Sequence, residues 1–255
     1  MNLVKTAAIL LLLLPLAAAA DGVLGDDERM TSDVLGYDLQ YRVYLPEGVA
    51  ASDKLDVLFV TDGHRYISEG RLPKVMDRLI GKGDIRPVVA VFVDPRDPDD
   101  LSVNRRNDQY LCSPDYYEFF RAELIPRIER DYPVGTSRER RGILGVSFGG
   151  TNAACFGLRG YETFALIGMH SPANHPIKTL LPAYEKLPLL PLKMFLSTGR
   201  PDDNTRANRK FHRVLERKGY DLLYIEVDEG HDWDNWRPLM DDVLRWFYAA
   251  EQPGA

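Results

Sequence analysis

Short runs of almost purely apolar, β-branched residues recur along this chain and constrain its fold more than any other feature. Two examples are "LDVLFVTDG" at residues 55–63 and "RPVVAVFVDP" at residues 86–95, bounded by Gly and Pro. Strands without a polar face must be covered on both faces, which is typical of parallel sheets. Comparable runs lie at residues 140–147, 164–171, 192–199 and 220–230. Residues 36–46 instead alternate between apolar and polar side chains, which predicts an earlier strand with one solvent-exposed face.

Segments with apolar residues at three- and four-residue steps separate these runs and predict helices. Residues 113–132 begin with Ser113, a typical helix N-cap residue. Residues 204–220 begin with Asn204, another N-cap residue, and include Gly219 as a residue that can end the helix. Strands alternating with helices predict one α/β domain over residues 21–255, with a mostly parallel sheet and helices on both faces. The carboxyl ends of parallel strands share one edge, and ligands bind beyond it. The Pro-rich residues 172–191 are either a substrate lid or a passive surface loop.

The first twenty residues form a separate segment. Lys5 precedes the apolar run "AAILLLLLPLA", and small residues at 17–20 suit cleavage before Asp21. This pattern predicts a secretory signal peptide at residues 1–20 and a secreted or periplasmic protein without a stable membrane anchor. An uncleaved anchor is the alternative. Export permits disulfides, yet we expect Cys155 to be a buried free thiol, with a Cys112–Cys155 bridge as the alternative.

The segment "RRGILGVSFGGTNAACF" places Ser147 between an apolar run and a helical pattern, with Gly145 and Gly149 two residues away on either side. This G-x-S-x-G spacing predicts a nucleophile elbow, a strained strand-to-helix turn that lifts a serine hydroxyl above the sheet edge. A phosphate-binding loop lacks support because the chain has neither a P-loop nor a dinucleotide-binding glycine pattern. A tight turn with an incidental serine is the remaining alternative.

A serine nucleophile needs a base, and the expected chain order is Ser, acid, His. His231 follows the last predicted strand, in "DEGHDWDNWR". The loop that contains it lies at the edge of the sheet where ligands are expected to bind. We therefore predict His231 as the base rather than another histidine after Ser147. The others are His170, His175 and His212.

The acid that orients the base is expected in the loop after the preceding strand. The sequence "FLSTGRPDDN" supplies Asp202 and Asp203 there. We predict Asp202, with Asp203 as the alternative, and Asp228 as less suitable because it still lies in a strand.

Two backbone N–H groups should bind the oxyanion that forms during acyl transfer. The N–H of Phe148, directly after the nucleophile, is one. The N–H of His64, in the "TDGHRY" segment after an earlier central strand, is the second, with Gly63 as the alternative donor.

Five segments between about residue 36 and residue 248 are similar to those of a known family: "LFVTDGHR", "YYEFFRAELIPRIERDYPV", "GILGVSFGG", "STGRPDDNTRANRKFHRVLERKGY" and "EGHDWDNWR". Through them the chain resembles the esterase D-like family of α/β-hydrolases. That family contains ferric enterobactin esterases, feruloyl and acetyl-xylan esterases, S-formylglutathione hydrolase and mycolyltransferases. The resemblance implies an α/β-hydrolase fold with little or no cap domain. It also implies a triad of Ser147, Asp202 and His231.

The same resemblance suggests that Asp62, Arg65 and Trp233 contact substrate, although Asp62 and Arg65 could instead form structural ion pairs. We expect an exported serine ester hydrolase that works through an acyl-enzyme and needs no metal or organic cofactor. Acyl transfer to a sugar or lipid hydroxyl, or a non-catalytic binding protein on the same scaffold, are the alternatives. The expected partner is a small-molecule, glycan or siderophore ester. A net charge of −6 argues against nucleic acid, and we expect a monomer.

Overall fold

The computed structural model describes residues 21–250, so the predicted signal peptide lies outside the described residues. Within this range the chain builds one sheet. Its strands are β1 (Val23–Leu24), β2 (Glu28–Ser32), β3 (Tyr37–Leu45), β4 (Asp56–Val60), β5 (Val88–Asp94), β6 (Arg141–Val146), β7 (Leu166–His170), β8 (Lys193–Gly199) and β9 (Asp221–Val227).

The strand order is β1-β3-β5-β4-β6-β7-β8-β9, and β2 pairs with β3 beside β1. Strands β4 to β9 are mutually parallel, while β1, β2 and β3 pair antiparallel. The prediction of a mostly parallel sheet is confirmed. The sequence pattern did not reveal β1 or β2, because they are short edge strands with exposed positions.

Helices cover both faces of this sheet, as predicted. They are α1 (Gly63–Ser68), α2 (Leu72–Gly81), α3 (Arg106–Tyr110), α4 (Pro114–Phe119), α5 (Ile125–Asp131), α6 (Phe148–Arg159), α7 (Leu180–Lys186), α8 (Thr205–Lys218), α9 (Trp233–Trp236) and α10 (Met240–Tyr248), with a π-helical turn at Phe120–Leu124 between α4 and α5. One apolar core joins the sheet to α4 through α8, and a second joins the other face to α1, α2, α9 and α10.

Two helix boundaries follow the sequence signals. The Ser113 side chain accepts the N–H of Tyr116 at 3.2 Å and so caps α4. Gly219 ends α8 with φ +82°, a left-handed conformation that glycine adopts without a Cβ clash. These local signals set where each helix starts and stops, and so fix the length of chain left for the neighbouring loops.

The Pro-rich segment 172–191 folds into a loop and α7, which packs on α6 and α8. The residues that line the cleft around Ser147 and His231 all lie outside this segment. The geometry therefore favours a surface excursion over a substrate lid.

Cys112 and Cys155 form a disulfide, with their Cα atoms 5.3 Å apart. The expectation of a free thiol at Cys155 is therefore wrong. The reason is tertiary: α3 packs across α6, which brings Cys112, just beyond the end of α3, against the middle of α6. Sequence spacing contains no sign of this contact.

Across residues 21–250 there is no helix that combines the length and the apolar character needed to cross a membrane.

Candidate active site

Ser147 occupies the turn between β6 and α6, with φ 55° and ψ −118°. This is a strained conformation for a residue with a side chain. The two flanking glycines make the turn possible: a Cβ on Gly145 would lie 2.3 Å from the Gly149 carbonyl carbon, and one on Gly149 would lie 2.6 Å from Thr61 Oγ1. The Ser147 N–H donates to the His170 carbonyl at 2.9 Å, which ties the turn to β7.

His231, in the loop after β9, reaches both partners that its predicted role requires. Its Nε2 lies 2.8 Å from Ser147 Oγ, and its Nδ1 lies 2.7 Å from Asp203 Oδ1. The imidazole packs edge-on against Trp236, with ring centroids 5.0 Å apart at 90°. The loops after β6, β8 and β9 therefore bring one serine, one carboxylate and one histidine into a hydrogen-bonded series.

The carboxylate in this series belongs to Asp203, so the choice of Asp202 as the partner of His231 is wrong. Asp202 is exposed and adopts a left-handed conformation, φ 48°, at the tip of the loop after β8. That turn directs the next residue, Asp203, inward, where its side chain is completely buried. The alternative named from the sequence is the residue that the structure places at the site.

Hydrogen bonds surround the Asp203 carboxylate. Oδ1 accepts the Asn204 N–H at 2.6 Å as well as the His231 contact, and Oδ2 accepts the Ser171 hydroxyl at 2.6 Å and the Gly199 N–H. Burial alone would raise the pKa of Asp203, but these donors outweigh it and lower the pKa to about 2. Asp203 therefore stays ionised beside His231 at neutral pH.

Ser171, after β7, and the neighbouring Asn235 and Trp236 form a second layer that the sequence reasoning missed. Trp236 Nε1 donates to Ser171 Oγ at 2.9 Å, and Ser171 Oγ donates on to Asp203. Asn235 Nδ2 contacts Asp203 Oδ2 at 3.3 Å and the Gly230 carbonyl at 2.8 Å. The aromatic residues after His231 were the available signal for this layer.

Both predicted oxyanion donors lie at helix starts beside the elbow. Phe148 is the first residue of α6, and His64 is the second residue of α1, so neither N–H has an acceptor within its helix. Strand β4, which leads into α1, pairs directly with β6, which brings the two segments together. The His64 imidazole turns toward Asp94: its Nδ1 lies 3.1 Å from Asp94 Oδ1, without an aligned hydrogen bond.

Asp62 lines the cleft into which Ser147 and His231 open, but its carboxylate forms an ion pair with an arginine. Arg106 Nε donates to Asp62 Oδ1 at 2.8 Å and Nη2 donates to Oδ2 at 2.9 Å, and the Asp62 side chain is 2% exposed. Burial disfavours the charge of Arg106, but Asp62 outweighs it and raises the guanidinium pKa above its ordinary value. The geometry favours the structural ion-pair alternative for Asp62.

Arg65 also lies at the cleft and also has an ion-pair partner. Its Nε donates to Glu69 at 2.7 Å, and its guanidinium lies 5.7 Å from the Trp233 ring centroid. Trp233 is buried against Tyr66 and Trp236 and presents only part of its ring to the cleft. These residues shape one wall, and their contact with substrate stays a prediction.

The imidazoles of the remaining histidines after Ser147 take no part in this hydrogen-bonded series. His170 is buried on β7, where Nδ1 contacts Ser197 Oγ at 2.9 Å, and burial lowers its pKa to about 3. His212 stacks on Tyr224 with ring centroids 3.9 Å apart. His175 lies 6.1 Å from Phe148 between ring centroids.

Ser147 and His231 open into a cleft of about 490 Å³ at the carboxyl edge of the sheet. Its lining is mostly polar. The lining residues are Asp62, His64, Arg65, Glu69, Asn104, Arg106, Val146, Ser147, His231, Asp232, Trp233, Asp234 and Trp236. Nowhere in residues 21–250 do three or more His, Cys, Asp or Glu side chains cluster as a metal site would require.

The parallel sheet, the helices on both faces and the serine elbow after β6 define an α/β-hydrolase fold. A family model described as "Putative esterase" matches residues 32–247. The chain belongs to this esterase family, and the protein is a carboxylic ester hydrolase.

Individual relatives have low sequence identity to this chain but align with most of its length. The chain is 26% identical to "Uncharacterized protein YjcH" of Bacillus subtilis over 86% of this chain and 95% of that one. It is 23% identical to an acetyl esterase of Caldicellulosiruptor saccharolyticus, over 71% and 81% of the two chains. The enterobactin esterase structure from Shigella flexneri superposes with a TM-score of 0.80 at 21% identity, over 91% of this chain and 60% of that longer chain.

Proposed function

We propose that this protein is an exported serine esterase in which Ser147 is the nucleophile, His231 the general base and Asp203 the acid that orients His231. One observation supports this best: Ser147 Oγ, both ring nitrogens of His231 and Asp203 Oδ1 are joined by contacts of 2.8 and 2.7 Å. A serine hydroxyl is a weak nucleophile until a base removes its proton, and this geometry supplies the base.

In the first half-reaction, Ser147 Oγ attacks the ester carbonyl carbon while His231 Nε2 takes the hydroxyl proton. The carbonyl oxygen becomes an oxyanion, which the N–H groups of Phe148 and His64 stabilise. The bond to the leaving alcohol then breaks, and the imidazolium of His231 donates its proton to that alcohol. The product is an ester between the acyl group and Ser147.

In the second half-reaction, water attacks the acyl-enzyme. His231 takes a proton from the water, the oxyanion forms again at the same two N–H groups, and the proton returns to Ser147 Oγ as the acid leaves. Asp203 remains ionised throughout because its pKa is about 2. Its charge stabilises the imidazolium and holds the proton on Nδ1, which leaves Nε2 free to accept.

The alcohol or acid portion of the substrate is expected to be polar. Among the cleft-lining residues Val146 is the sole aliphatic one, whereas six are Asp, Glu or Arg. Similar proteins named for their substrates include an acetyl esterase, a ferulic acid esterase and an enterobactin esterase. We therefore propose short or aromatic acyl esters of polar compounds as substrates.

Export is proposed from two independent features. Residues 1–20 have the charge, apolar run and small residues of a cleavable signal peptide. The Cys112–Cys155 disulfide is typical of an oxidising compartment. Mass spectrometry of protein recovered from the expressing cells would test this: the mature chain should begin at Asp21 and lack two thiol hydrogens relative to the reduced chain.

The nucleophile is tested by exposing the purified protein to a fluorophosphonate probe beside the Ser147→Ala variant. We expect one covalent adduct, located on Ser147 by peptide mapping and absent from the variant. Hydrolysis of p-nitrophenyl acetate should fall by several orders of magnitude in that variant. Equal labelling or full turnover in both proteins would refute the assignment.

A further inference from the structure

Arg106, the first residue of α3, contacts the two segments that supply the predicted oxyanion donors. Its Nε and Nη2 hold the Asp62 carboxylate with two contacts of 2.8 and 2.9 Å. The same Nη2 donates to the Val146 carbonyl at 3.1 Å. One guanidinium therefore bridges the loop after β4 and the end of β6.

Asp62 and Val146, the two residues that Arg106 contacts, lie at equivalent distances in sequence from the predicted donors. His64 lies two residues after Asp62, and Phe148 lies two residues after Val146. Asp62 is also the N-cap residue of α1, in a left-handed conformation with φ 55° that a non-glycine residue adopts at a cost. Contacts that hold Asp62 and Val146 therefore set where each donor N–H points.

The bridge is built to be rigid. The Asp62 and Arg106 side chains are 2% and 22% exposed, and the Asp62 N–H donates to Tyr110 Oη at 2.8 Å. The guanidinium carbon lies 5.3 Å from the Tyr110 ring centroid and 5.5 Å from that of Phe148. A planar fork between aromatic rings can hold a carboxylate and a carbonyl at once, which a lysine ammonium cannot reproduce.

We propose that Arg106 is a positioning residue that fixes the separation and direction of the Phe148 and His64 N–H groups, and so the geometry of the oxyanion hole. The proposal rests on the function proposed above. Preorganised donors act because they need no rearrangement when charge develops, so small displacements weaken them. Arg106 acts on the transition state through these two segments and not by binding substrate.

The test compares Arg106→Lys with Arg105→Lys as the matched control. Arg105 is the preceding residue, but it pairs with Asp97 at 2.8 Å and lies 4.4 Å from the Tyr37 ring centroid, away from the cleft. For Arg106→Lys we expect kcat/KM on p-nitrophenyl acetate to fall roughly 10- to 100-fold, somewhat less than loss of a whole oxyanion donor. For Arg105→Lys it should change less than about 2-fold.

Inhibitors separate positioning from a general structural role. A trifluoromethyl ketone forms a tetrahedral oxyanion with the serine, so its Ki should rise in Arg106→Lys by the same factor as kcat/KM falls. The affinity of a non-reactive amide analogue of the substrate should change less than about 2-fold, because it carries no oxyanion. Weaker binding of both compounds would mean that Arg106 binds substrate directly and would overturn the proposal.

Asp62→Asn removes the other end of the bridge and keeps the test valid if Arg106→Lys folds poorly. We expect the same pattern of inhibitor affinities. The double variant should lose no more activity than the worse single variant, because both changes break one unit. Additive losses, or unchanged activity in Arg106→Lys, would overturn the proposal.

The fluorophosphonate probe distinguishes the two levels of failure. If the wild-type protein is labelled on Ser147 and hydrolyses esters while Arg106→Lys is unaffected, only the positioning role fails. If the wild-type protein shows neither labelling nor hydrolysis, the serine esterase mechanism fails and the positioning role fails with it.

Discussion

Replacing Asp203 with Asn tests the hydrogen-bonded series at the carboxylate, and Asp202→Asn is its matched control. The two substitutions make the same chemical change one residue apart. Asp203 is buried and contacts His231 at 2.7 Å, whereas Asp202 is exposed at the loop tip. We expect a large loss of activity from the first and almost none from the second.

The size of the loss follows from the donors around Asp203. The carboxylate accepts hydrogen bonds on both oxygens, from Asn204 and His231 on Oδ1 and from Ser171 and Gly199 on Oδ2. An asparagine must turn its NH₂ group toward one of these sets.

With the amide nitrogen toward His231, Nδ1 must accept and the ring proton moves to Nε2, which then cannot take the proton of Ser147. That tautomer error reduces kcat by about 10⁴-fold in serine hydrolases, equivalent to about 5 kcal/mol. The opposite orientation is disfavoured, because an NH₂ group at the Oδ2 position could not accept from the Gly199 N–H, the Ser171 hydroxyl or Asn235 Nδ2. A buried donor left without an acceptor costs about 1–3 kcal/mol of stability.

Steady-state hydrolysis of p-nitrophenyl acetate by both variants provides the assay, with circular dichroism to confirm that each is folded. We expect kcat of Asp203→Asn to fall by at least about 10³-fold and that of Asp202→Asn to stay within about 2-fold. Comparable activity in the two variants, or a greater loss in Asp202→Asn, would refute the assignment of the acid to Asp203.

Three further predictions concern stability and are measured by urea unfolding. The pKa of Asp203 is lowered from 3.8 to about 2 in the folded protein. Its ionised form therefore adds on the order of 2 kcal/mol to the free energy of unfolding above about pH 4, and this stabilisation is lost as the pH falls toward about 2. The difference in free energy of unfolding between wild type and Asp203→Asn should therefore become smaller from about pH 4 to about pH 2. A difference that stays constant over this pH range would contradict the lowered pKa of Asp203. Gly145→Ala should cost about 3 kcal/mol because its Cβ meets the Gly149 backbone at 2.3 Å, whereas Gly25→Ala, with its nearest contact at 3.4 Å, should cost less than about 1 kcal/mol. Equal costs would show that the elbow tolerates a side chain. Removing the disulfide with Cys112→Ser and Cys155→Ser together should lower the free energy of unfolding by about 4 kcal/mol, since the bridge spans 43 residues of chain. Wild type with reducing agent should then match the double variant, and an unchanged unfolding midpoint in both would show that the bridge contributes little.

Several parts of the site could be predicted because they depend on local pattern. The elbow at Ser147 needs glycine on both sides, and the structure shows the backbone contacts that a Cβ would meet. His231 could be chosen because it follows the last strand of a parallel sheet, whose carboxyl ends share an edge. The strand runs and most helices followed from apolar periodicity in the same way.

Other parts could not be predicted because they depend on contacts between distant segments. Asp202 and Asp203 are identical in type and adjacent, and the left-handed backbone at Asp202 decides which side chain points inward. The bond between Cys112 and Cys155 requires α3 to pack across α6. The bridge from Arg106 to Asp62 and Val146 joins three segments that no sequence motif connects.

By itself, the sequence determined the α/β fold class and singled out Ser147 and His231 as the proposed nucleophile and base. Each of these is encoded in short-range features: apolar periods, glycine spacing and strand-end position. Only the tertiary structure decided which aspartate faces His231, whether the cysteines pair, and which arginine joins the segments of Asp62 and Val146. Those choices depend on loop conformations and helix packing, which bring distant residues together: Asp203 and His231 are 28 positions apart, and Ser147 and His231 are 84 apart.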